Sequence, residues 1–466
     1  MAEKSSALAY NRKTVWEHLT GQEKQEAMNL AEDYKVFLNR AKTERESAAL
    51  VAEQARSLGF VPLETVQGHL KPGDKIYRLV KDKSVLLAVL GERPVTEGFN
   101  AIGAHIDSPR LDLKVHPLYE DEGLALLKTH YYGGIKKYHW LALPLALHGV
   151  VYRGDGSGVE IRVGDEPGDP VFTITDLLPH LSGKQMEKNI NEAFPGEILR
   201  VICGSLPAGD ADIKNRVKEN ILLLLHDKYG LTEADLVTAE LELVPAVPPR
   251  DVGFDRSMVG AYGQDDRVCA YAQLSAMAGI VSPPRPAVAI FADKEEIGSV
   301  GNTGMQSSLF LDFIAELVER SAGTYNGLLL RRALSASCGL SADVNLALDP
   351  GFPDTVEKDN TARLGCGVVL TKYTGARGKS GSNDAHAEFL SRVVRIFDSR
   401  KVIWQTGELG KVDQGGGGTI AYMMAAHGLD VVDCGVGLLG MHSPFEVCHK
   451  ADLYMAVRGY AAFLLG

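Results

Sequence analysis

The stretch Ala287-Val-Ala-Ile-Phe-Ala292, followed directly by Asp293-Lys-Glu-Glu-Ile-Gly-Ser299, decides how the chain is interpreted. The apolar run predicts a buried strand, so Glu295 and Glu296 lie where a strand ends. In an open α/β sheet this is the usual place for binding and catalytic residues. Adjacent carboxylates repel each other unless a cation lies beside them. The stretch therefore predicts either a solvated acidic turn or part of a metal site.

The composition is that of a large acidic chain. It has 466 residues, of which 45% are hydrophobic, and a net charge of −11, which predicts two or three domains with a large core. The negative charge disfavours nucleic acid and anionic membranes as partners. We expect no signal peptide and no membrane span. Six cysteines without a Cys-x-x-Cys pair indicate reduced thiols and a cytoplasmic protein.

Strand and helix patterns divide the chain into three parts. Apolar residues at helical spacing predict helices over 14–57, and strands and helices alternate over 248–466. Together with the strands of 1–114, this predicts a mixed β-sheet sandwiched by helices. Turn-rich segments separate short strands, such as 171–174, over 115–247. We therefore expect one domain formed by 1–114 and 248–466, interrupted by an inserted, mainly β domain over 115–247.

Further residues of metal-ligand type lie beside predicted strand ends. His105 ends a short buried strand, and Asp107 lies on the same strand face, where it can orient the imidazole ring. Asp265 and Asp266 precede a predicted helix, where acidic residues also serve as ordinary N-terminal caps. Each of these patterns is weak when it is taken alone.

Taken together, the patterns favour a metal site over a set of caps and turns. Two histidines and three carboxylates suit a pair of zinc-like ions with one bridging carboxylate. Glu295 then remains available as a general base. The residues at predicted strand ends, or in loops beside them, are His105, Asp265, Glu296, Asp343 and His442.

Five motifs together resemble the aspartyl-aminopeptidase family of dinuclear zinc exopeptidases. Another segment, Glu408-Leu-Gly-Lys-Val-Asp-Gln-Gly-Gly-Gly-Gly-Thr419, is similar to the bacterial branch of that family. The resemblance covers nearly the whole chain in the same order. The five motifs are Gly103-Ala-His-Ile-Asp-Ser-Pro-Arg-Leu111, Gln264-Asp-Asp-Arg267, Asp293-Lys-Glu-Glu-Ile-Gly-Ser299, Ser341-Ala-Asp-Val-Asn345 and Met441-His-Ser-Pro-Phe-Glu446.

The resemblance implies a zinc exopeptidase-like catalytic domain and a metalloaminopeptidase. Such an enzyme hydrolyses the N-terminal residue of peptides with a water activated by two zinc ions. Asp265 would bridge the ions, with Asp266 in a supporting place, while Asp107 would orient His105 and Glu295 would be the general base. Cobalt or manganese suits the same ligands. The implied metal ligands are His105, Asp265, Glu296, Asp343 and His442.

The resemblance also implies a role in assembly for the inserted domain. It resembles a dimerisation domain in which a histidine of a Pro-His-Leu segment, here His180, reaches the neighbouring subunit's active site. Family members commonly form tetrahedral dodecamers built from dimers. The region from Lys372 to Asn383 departs from the eukaryotic pattern. The preference for acidic N-terminal residues is therefore open, with Lys372 as the candidate substrate contact.

Two alternatives remain at this point. A deacylase or carboxypeptidase of the same metal architecture would need a cation for the substrate carboxylate, such as Lys372, Arg377 or Lys379. A non-catalytic binding shell would not need the intact Glu295-Glu296 pair. The preferred N-terminal residue, the physiological peptides, the native metal and the oligomeric state stay open.

Overall fold

The computed structural model describes residues 8–375 and 377–466 and divides the chain into two compact units. The first unit extends to Asp107 and resumes over Pro249–Met441 and Glu446–Gly466. The second consists of Ser108–Pro248 and His442–Phe445. Residues 108–114 therefore belong to the second unit, because the strand that begins at Arg110 hydrogen-bonds to strands of that unit.

The strands and helices are numbered along the chain. The strands are β1 (Val61–Pro62), β2 (Lys75–Val80), β3 (Ser84–Val89), β4 (Asn100–His105), β5 (Arg110–Asp121), β6 (Leu124–Tyr132), β7 (Leu145–Tyr152), β8 (Gly158–Val163), β9 (Arg200–Gly204), β10 (Glu240–Pro245), β11 (Arg250–Val252), β12 (Met258–Ala261), β13 (Ala287–Ala292), β14 (Cys338–Ser341), β15 (Asn345–Leu346), β16 (Val368–Thr371), β17 (Trp404–Thr406), β18 (Asp430–Gly435), β19 (Gly437–Leu439) and β20 (Glu446–His449). The helices are α1 (Val15–His18), α2 (Gly21–Arg40), α3 (Glu44–Ser57), α4 (Gly183–Met186), α5 (Ile190–Ala193), α6 (Arg216–Tyr229), α7 (Gln264–Ala278), α8 (Leu309–Ala322), α9 (Gly327–Ser335), α10 (Ala387–Ser399), α11 (Ala421–Ala426) and α12 (Lys450–Leu464).

The first unit is built on a nine-stranded mixed sheet with the order β1-β2-β3-β13-β4-β14-β18-β16-β17. Its central strands β13, β4, β14 and β18 run parallel to one another. A second, five-stranded sheet in the same unit has the order β11-β12-β20-β19-β15. The parallel centre matters for function because the carboxyl ends of parallel strands meet at one edge.

Helices cover both faces of the nine-stranded sheet, as the sequence predicted. Alternate residues of β13 point to opposite faces: Ala289 and Phe291 belong to one hydrophobic cluster, and Val288 and Ile290 to the other. The first cluster includes buried residues of α2, α3, α7, α10 and α12, and the second includes those of α8, α9 and α11. Buried on both faces, the central strands carry the continuous apolar runs that are typical of parallel sheets.

Local signals set the starts of the N-terminal helices. Thr20 with Glu23, and Thr43 with Glu46, form capping boxes that satisfy the first backbone N–H groups of α2 and α3. Tyr34, like other apolar residues at helical spacing on α2, is fully buried, which gives this helix its place on the sheet. No helix in the described part of the chain has the length and apolar character needed to cross a lipid bilayer.

The second unit contains a six-stranded sheet of order β8-β7-β10-β5-β6-β9 together with α4, α5 and α6. It is mainly β in character. The strand predicted over 171–174 is wrong: this segment makes only isolated bridges, Leu145 to Phe172 and Thr173 to Ile202. The reason is that the segment meets two different strands through one residue each: Phe172 pairs with Leu145, just before the β7–β8 pairing begins at Leu147, and Thr173 pairs with Ile202 of the edge strand β9.

Candidate metal centre

Three parallel strands of the first unit bring polar residues to one edge of the sheet. β4 lies between β13 and β14. His105 is the last residue of β4, while Asp343 follows the end of β14 and Glu295 follows the end of β13. The strand ends converge, so residues far apart in the sequence come together, as the sequence predicted for this type of sheet.

The start of α7 supplies two more carboxylates. Gly263 precedes the helix in the left-handed region at φ 68°, and a Cβ there would lie 2.5 Å from the guanidinium of Arg267, so the turn requires glycine. Asp265 and Asp266 follow, both buried. The Oδ1 of Asp265 is 3.1 Å from the Nε2 of His105, and the Oδ2 of Asp266 accepts the backbone N–H of His105 at 3.3 Å.

Two sets of possible ligand atoms meet at His105. In the first set, atoms of His105, Asp265 and Glu296 lie within 4.8 Å of one another. In the second, the same holds for His105, Asp266 and Asp343. The structure thus brings together four of the predicted ligands and adds Asp266. Sequence reasoning gave Asp266 only a supporting place, although its position directly after Asp265 was a signal that it shares the site.

Asp107 holds the His105 ring. The Nδ1 of His105 is 3.0 Å from the carbonyl oxygen of Asp107 and 3.3 Å from its carboxylate Oδ1. In a metal-bound ring, a proton held on Nδ1 in this way leaves the lone pair of Nε2 for the metal. Burial lowers the pKa of His105, but the carboxylates of Asp107 and Asp265 outweigh it and raise this pKa well above the usual value.

The same carboxylate also holds the Glu295–Glu296 turn. The backbone N–H of Glu295 donates to Oδ1 of Asp107 at 3.1 Å, and that of Glu296 donates to Oδ2 at 3.2 Å. The sequence predicted the contact between Asp107 and His105 but not this second one. Asp107 is fully buried, so it links the end of β4 to the turn after β13 from inside the protein.

The turn itself gives the two glutamates different surroundings. Glu295–Ile297 is a single 3₁₀ turn, and the residues on either side of it, Lys294 and Gly298, are both in the left-handed region. The Lys294 ammonium donates to Asp293 at 2.9 Å and to Thr303 at 2.8 Å, which fixes the turn from outside. Glu296 joins the first ligand set, whereas the charge of Glu295 acts on Asp343.

Burial and mutual repulsion disfavour ionisation of the clustered carboxylates. Burial is the main cause that raises the pKa of Asp266 well above the usual range, and the charge of Asp265 adds to it. Burial likewise raises the pKa of Asp343, with contributions from Asp266 and Glu295. Like charges in a low-dielectric site are costly unless a cation neutralises them.

The residues present fit a zinc site. The Oδ1 of Asp266 is buried and has no hydrogen-bond partner among residues 8–375 and 377–466. A buried acceptor without a donor destabilises the folded protein unless a bound cation takes the place of the donor. Imidazole nitrogen and carboxylate oxygen are donors that zinc prefers, and the second ring nitrogen of His105 is held as such sites require. A divalent cation would satisfy the open oxygen and relieve the repulsion.

His442 belongs to the second unit, and neither ligand set found in the described residues includes it. Its Nδ1 is 2.8 Å from the carbonyl oxygen of Gly134. A proton on that nitrogen leaves Nε2 as the lone-pair nitrogen, as for His105. Its assignment as a metal ligand stays a prediction.

His180 and Lys372, the two predicted substrate contacts, are both exposed at the protein surface. His180 is exposed in the 3₁₀ turn Pro179–Leu181 of the second unit. The ammonium groups of Lys372 and Lys379 both pair with Asp384, at 2.5 and 2.9 Å. Because these lysines already have a carboxylate partner, they offer no particular support for the deacylase or carboxypeptidase alternative.

Comparison with known proteins places this site in a family. The family model described as "Aminopeptidase I zinc metalloprotease (M18)" matches residues 37–464. A probable M18 family aminopeptidase 1 from Clostridium acetobutylicum is 48% identical over 455 residues, which cover 97% of this chain and 98% of that protein.

Solved structures give the same result for the fold. The crystal structure of an M18-family aminopeptidase from Thermotoga maritima matches with a TM-score of 0.94 and 46% identity, covering 98% of this chain and 99% of that one. Aminopeptidase I from Clostridium acetobutylicum matches with a TM-score of 0.91 and 46% identity, covering 98% of this chain and 100% of that one. These matches confirm the zinc exopeptidase-like mixed α/β fold. With a similarity that extends over almost the full length of each relative, the chain belongs to the M18 family and is a zinc-dependent aminopeptidase.

Proposed function

We propose that this aminopeptidase removes the N-terminal residue of peptides at a two-zinc centre, with Glu295 as the general base. The observation that supports the proposal most is that two sets of ligand atoms meet at His105. Asp265 would be the ligand shared by the two ions, and Asp266, which belongs to the second ligand set, would support the second ion. The proposed ligands are His105, Asp265, Glu296, Asp343 and His442.

The chain's own residues divide the chemistry. Zinc, when it is bound at such a site, polarises the scissile carbonyl and lowers the pKa of a water molecule. Glu295 takes the proton of the attacking water and gives it to the leaving amine. Asp107 holds the N–H groups of Glu295 and Glu296, so the base and the ligand keep separate directions. The clustered carboxylates attract the free α-ammonium group, which favours cleavage at the N-terminus.

A pair of matched variants tests the two roles. Glu295→Gln should keep bound zinc but lower kcat by about 10²- to 10⁴-fold, the usual contribution of a general base. Glu296→Gln should instead weaken zinc affinity, because it removes a charged ligand. Zinc content by elemental analysis and hydrolysis of aminoacyl nitroanilides give the two readouts. A Glu295→Gln enzyme with wild-type kcat, or equal zinc loss in both variants, would contradict the proposal.

We also propose that the second unit joins chains into dimers that build a tetrahedral dodecamer in the cytoplasm, with His180 and Lys372 contacting the peptide. In support, Leu177, Leu178 and Leu181 are 50–68% exposed in the segment around His180, and exposed apolar residues of this kind are typical of interaction surfaces. Leu181→Asp should lower the mass found by sedimentation. An unchanged mass would contradict the proposed interface. Cell fractionation is the separate test of the proposed location in the cytoplasm.

A further inference from the structure

Glu446 is a buried acid in the Met441–Glu446 motif to which the proposed chemistry gives no role. It is the first residue of β20, pairs with Ala261 of β12, and is 1% exposed. Its carboxylate Oε2 accepts the backbone N–H of Asp265 at 3.0 Å. Its own carbonyl oxygen accepts the side-chain amide of Gln264 at 2.7 Å. One residue of β20 therefore holds two consecutive residues at the start of α7.

Gln264 extends this contact to two other elements. Its Nε2 also donates to the carbonyl oxygen of Val259 at 3.1 Å, and its Oε1 accepts the hydroxyl of Tyr34 at 3.3 Å. Gln264 is fully buried. The turn that presents Asp265 is thus fixed by β20, β12 and α2, and Glu446 holds the backbone N–H of Asp265 itself.

The hydrogen bond from Asp265 to Glu446 fixes a residue that carries a proposed metal ligand. The carboxylate Oδ1 of this same residue lies 3.1 Å from the Nε2 of His105, and Asp265 belongs to the first ligand set with His105 and Glu296. A shift of the backbone at Asp265 therefore moves a ligand oxygen, and the groups that orient a ligand affect metal binding. This connection is the reason to link Glu446 to the metal and not to the fold alone.

We propose that Glu446 is a positioning residue for the metal centre. It fixes the backbone of Asp265 so that its Oδ1 stays beside the Nε2 of His105, 3.1 Å away. The inference rests on the proposed metal centre. Residues that orient ligands in this way change metal affinity by about 10- to 100-fold when they are replaced.

The test measures the zinc affinity of the metal-free full-length chain by competition with a chromophoric chelator. Glu446→Leu removes the acceptor of the Asp265 N–H and should weaken zinc binding by about 10- to 100-fold. Glu446→Gln keeps an acceptor oxygen in a side chain of the same shape and should retain most of the affinity. If Glu446→Leu does not fold, Glu446→Asp takes its place, because its shorter side chain withdraws the acceptor from the Asp265 N–H.

Asp452 offers a matched control. It is also a fully buried carboxylate that accepts backbone N–H groups, those of Gly365 and Gly367, both at 2.7 Å. Asp452→Asn should change stability but leave zinc affinity at the wild-type value. Wild-type zinc affinity in Glu446→Leu, or in Glu446→Asp where that variant replaces it, would overturn the inference but leave the proposed metal centre in place. A wild-type chain that takes up no zinc would overturn the proposed centre, and the inference with it.

Discussion

Replacing Asp107 by asparagine tests whether one carboxylate holds the catalytic turn. Its two oxygens accept the backbone N–H groups of Glu295 and Glu296, at 3.1 and 3.2 Å. An amide keeps one acceptor oxygen and turns its NH₂ group toward the other N–H. The lost hydrogen bond to a charged acceptor costs about 1.5–3 kcal/mol, which corresponds to a roughly 10- to 150-fold loss of the correctly placed turn.

The assay is the hydrolysis of an aminoacyl nitroanilide at saturating zinc, so that a change in metal occupancy does not imitate a change in turnover. We expect kcat to fall by about 10- to 150-fold, since a displaced Glu295 cannot transfer the proton efficiently. Asp235→Asn is the control, because Asp235 also accepts a backbone N–H, from Thr232 at 2.7 Å, but lies in the second unit. A kcat for Asp107→Asn equal to that of the control would refute the reasoning.

Two further predictions concern pH and substrate charge. Burial raises the pKa of Asp452 to about 7 from the usual 3.8, so ionisation destabilises the folded chain progressively between about pH 4 and pH 7, by about 4 kcal/mol in total. Asp452→Asn should remove that loss, and urea unfolding as a function of pH measures it; a pH profile like that of the wild type would contradict the assignment. Lys372→Ala breaks an exposed pair with Asp384, so stability should change by less than about 1 kcal/mol, while kcat/KM should fall for an acidic N-terminal residue relative to a neutral one. A parallel change for both nitroanilides would remove Lys372 from substrate binding.

Elements with a strong local signal could be predicted from the sequence. The apolar run Ala287–Ala292 has the same bounds in the structure as in the pattern, because a short run flanked by prolines and acids marks both of its ends. The strand β4 ends at His105, where an acid and a proline again follow the apolar run, as Asp107 and Pro109. Segment 171–174 carried a similar pattern but is not a strand. Its alternation describes a local preference, whereas a strand also needs one partner strand that it follows over several residues.

The contacts that organise the site could not be predicted in this way. Asp107 and Glu295 are 188 positions apart, and Asp265 and Glu446 are 181 positions apart. No window of the sequence contains both partners, so residue types and spacing indicated which side chains have ligand chemistry but not which backbone they hold. Asp266 is the exception. It is adjacent to Asp265, so its place in the site could be inferred from the geometry of a single turn.

The interleaved order of the nine-stranded sheet has a consequence for synthesis and folding. β13 lies between β3 and β4, two strands that leave the ribosome long before it. Until β13 inserts, each of those strands has an unpaired edge, which is a hazard for aggregation. Pairing over such long loops is also slow. A nascent chain that stops before residue 287 therefore has both neighbours of the missing strand exposed, and it cannot form the turn with Glu295 and Glu296. The catalytic edge is consequently completed late, and truncated forms of this enzyme should depend on chaperones more than the full-length chain does.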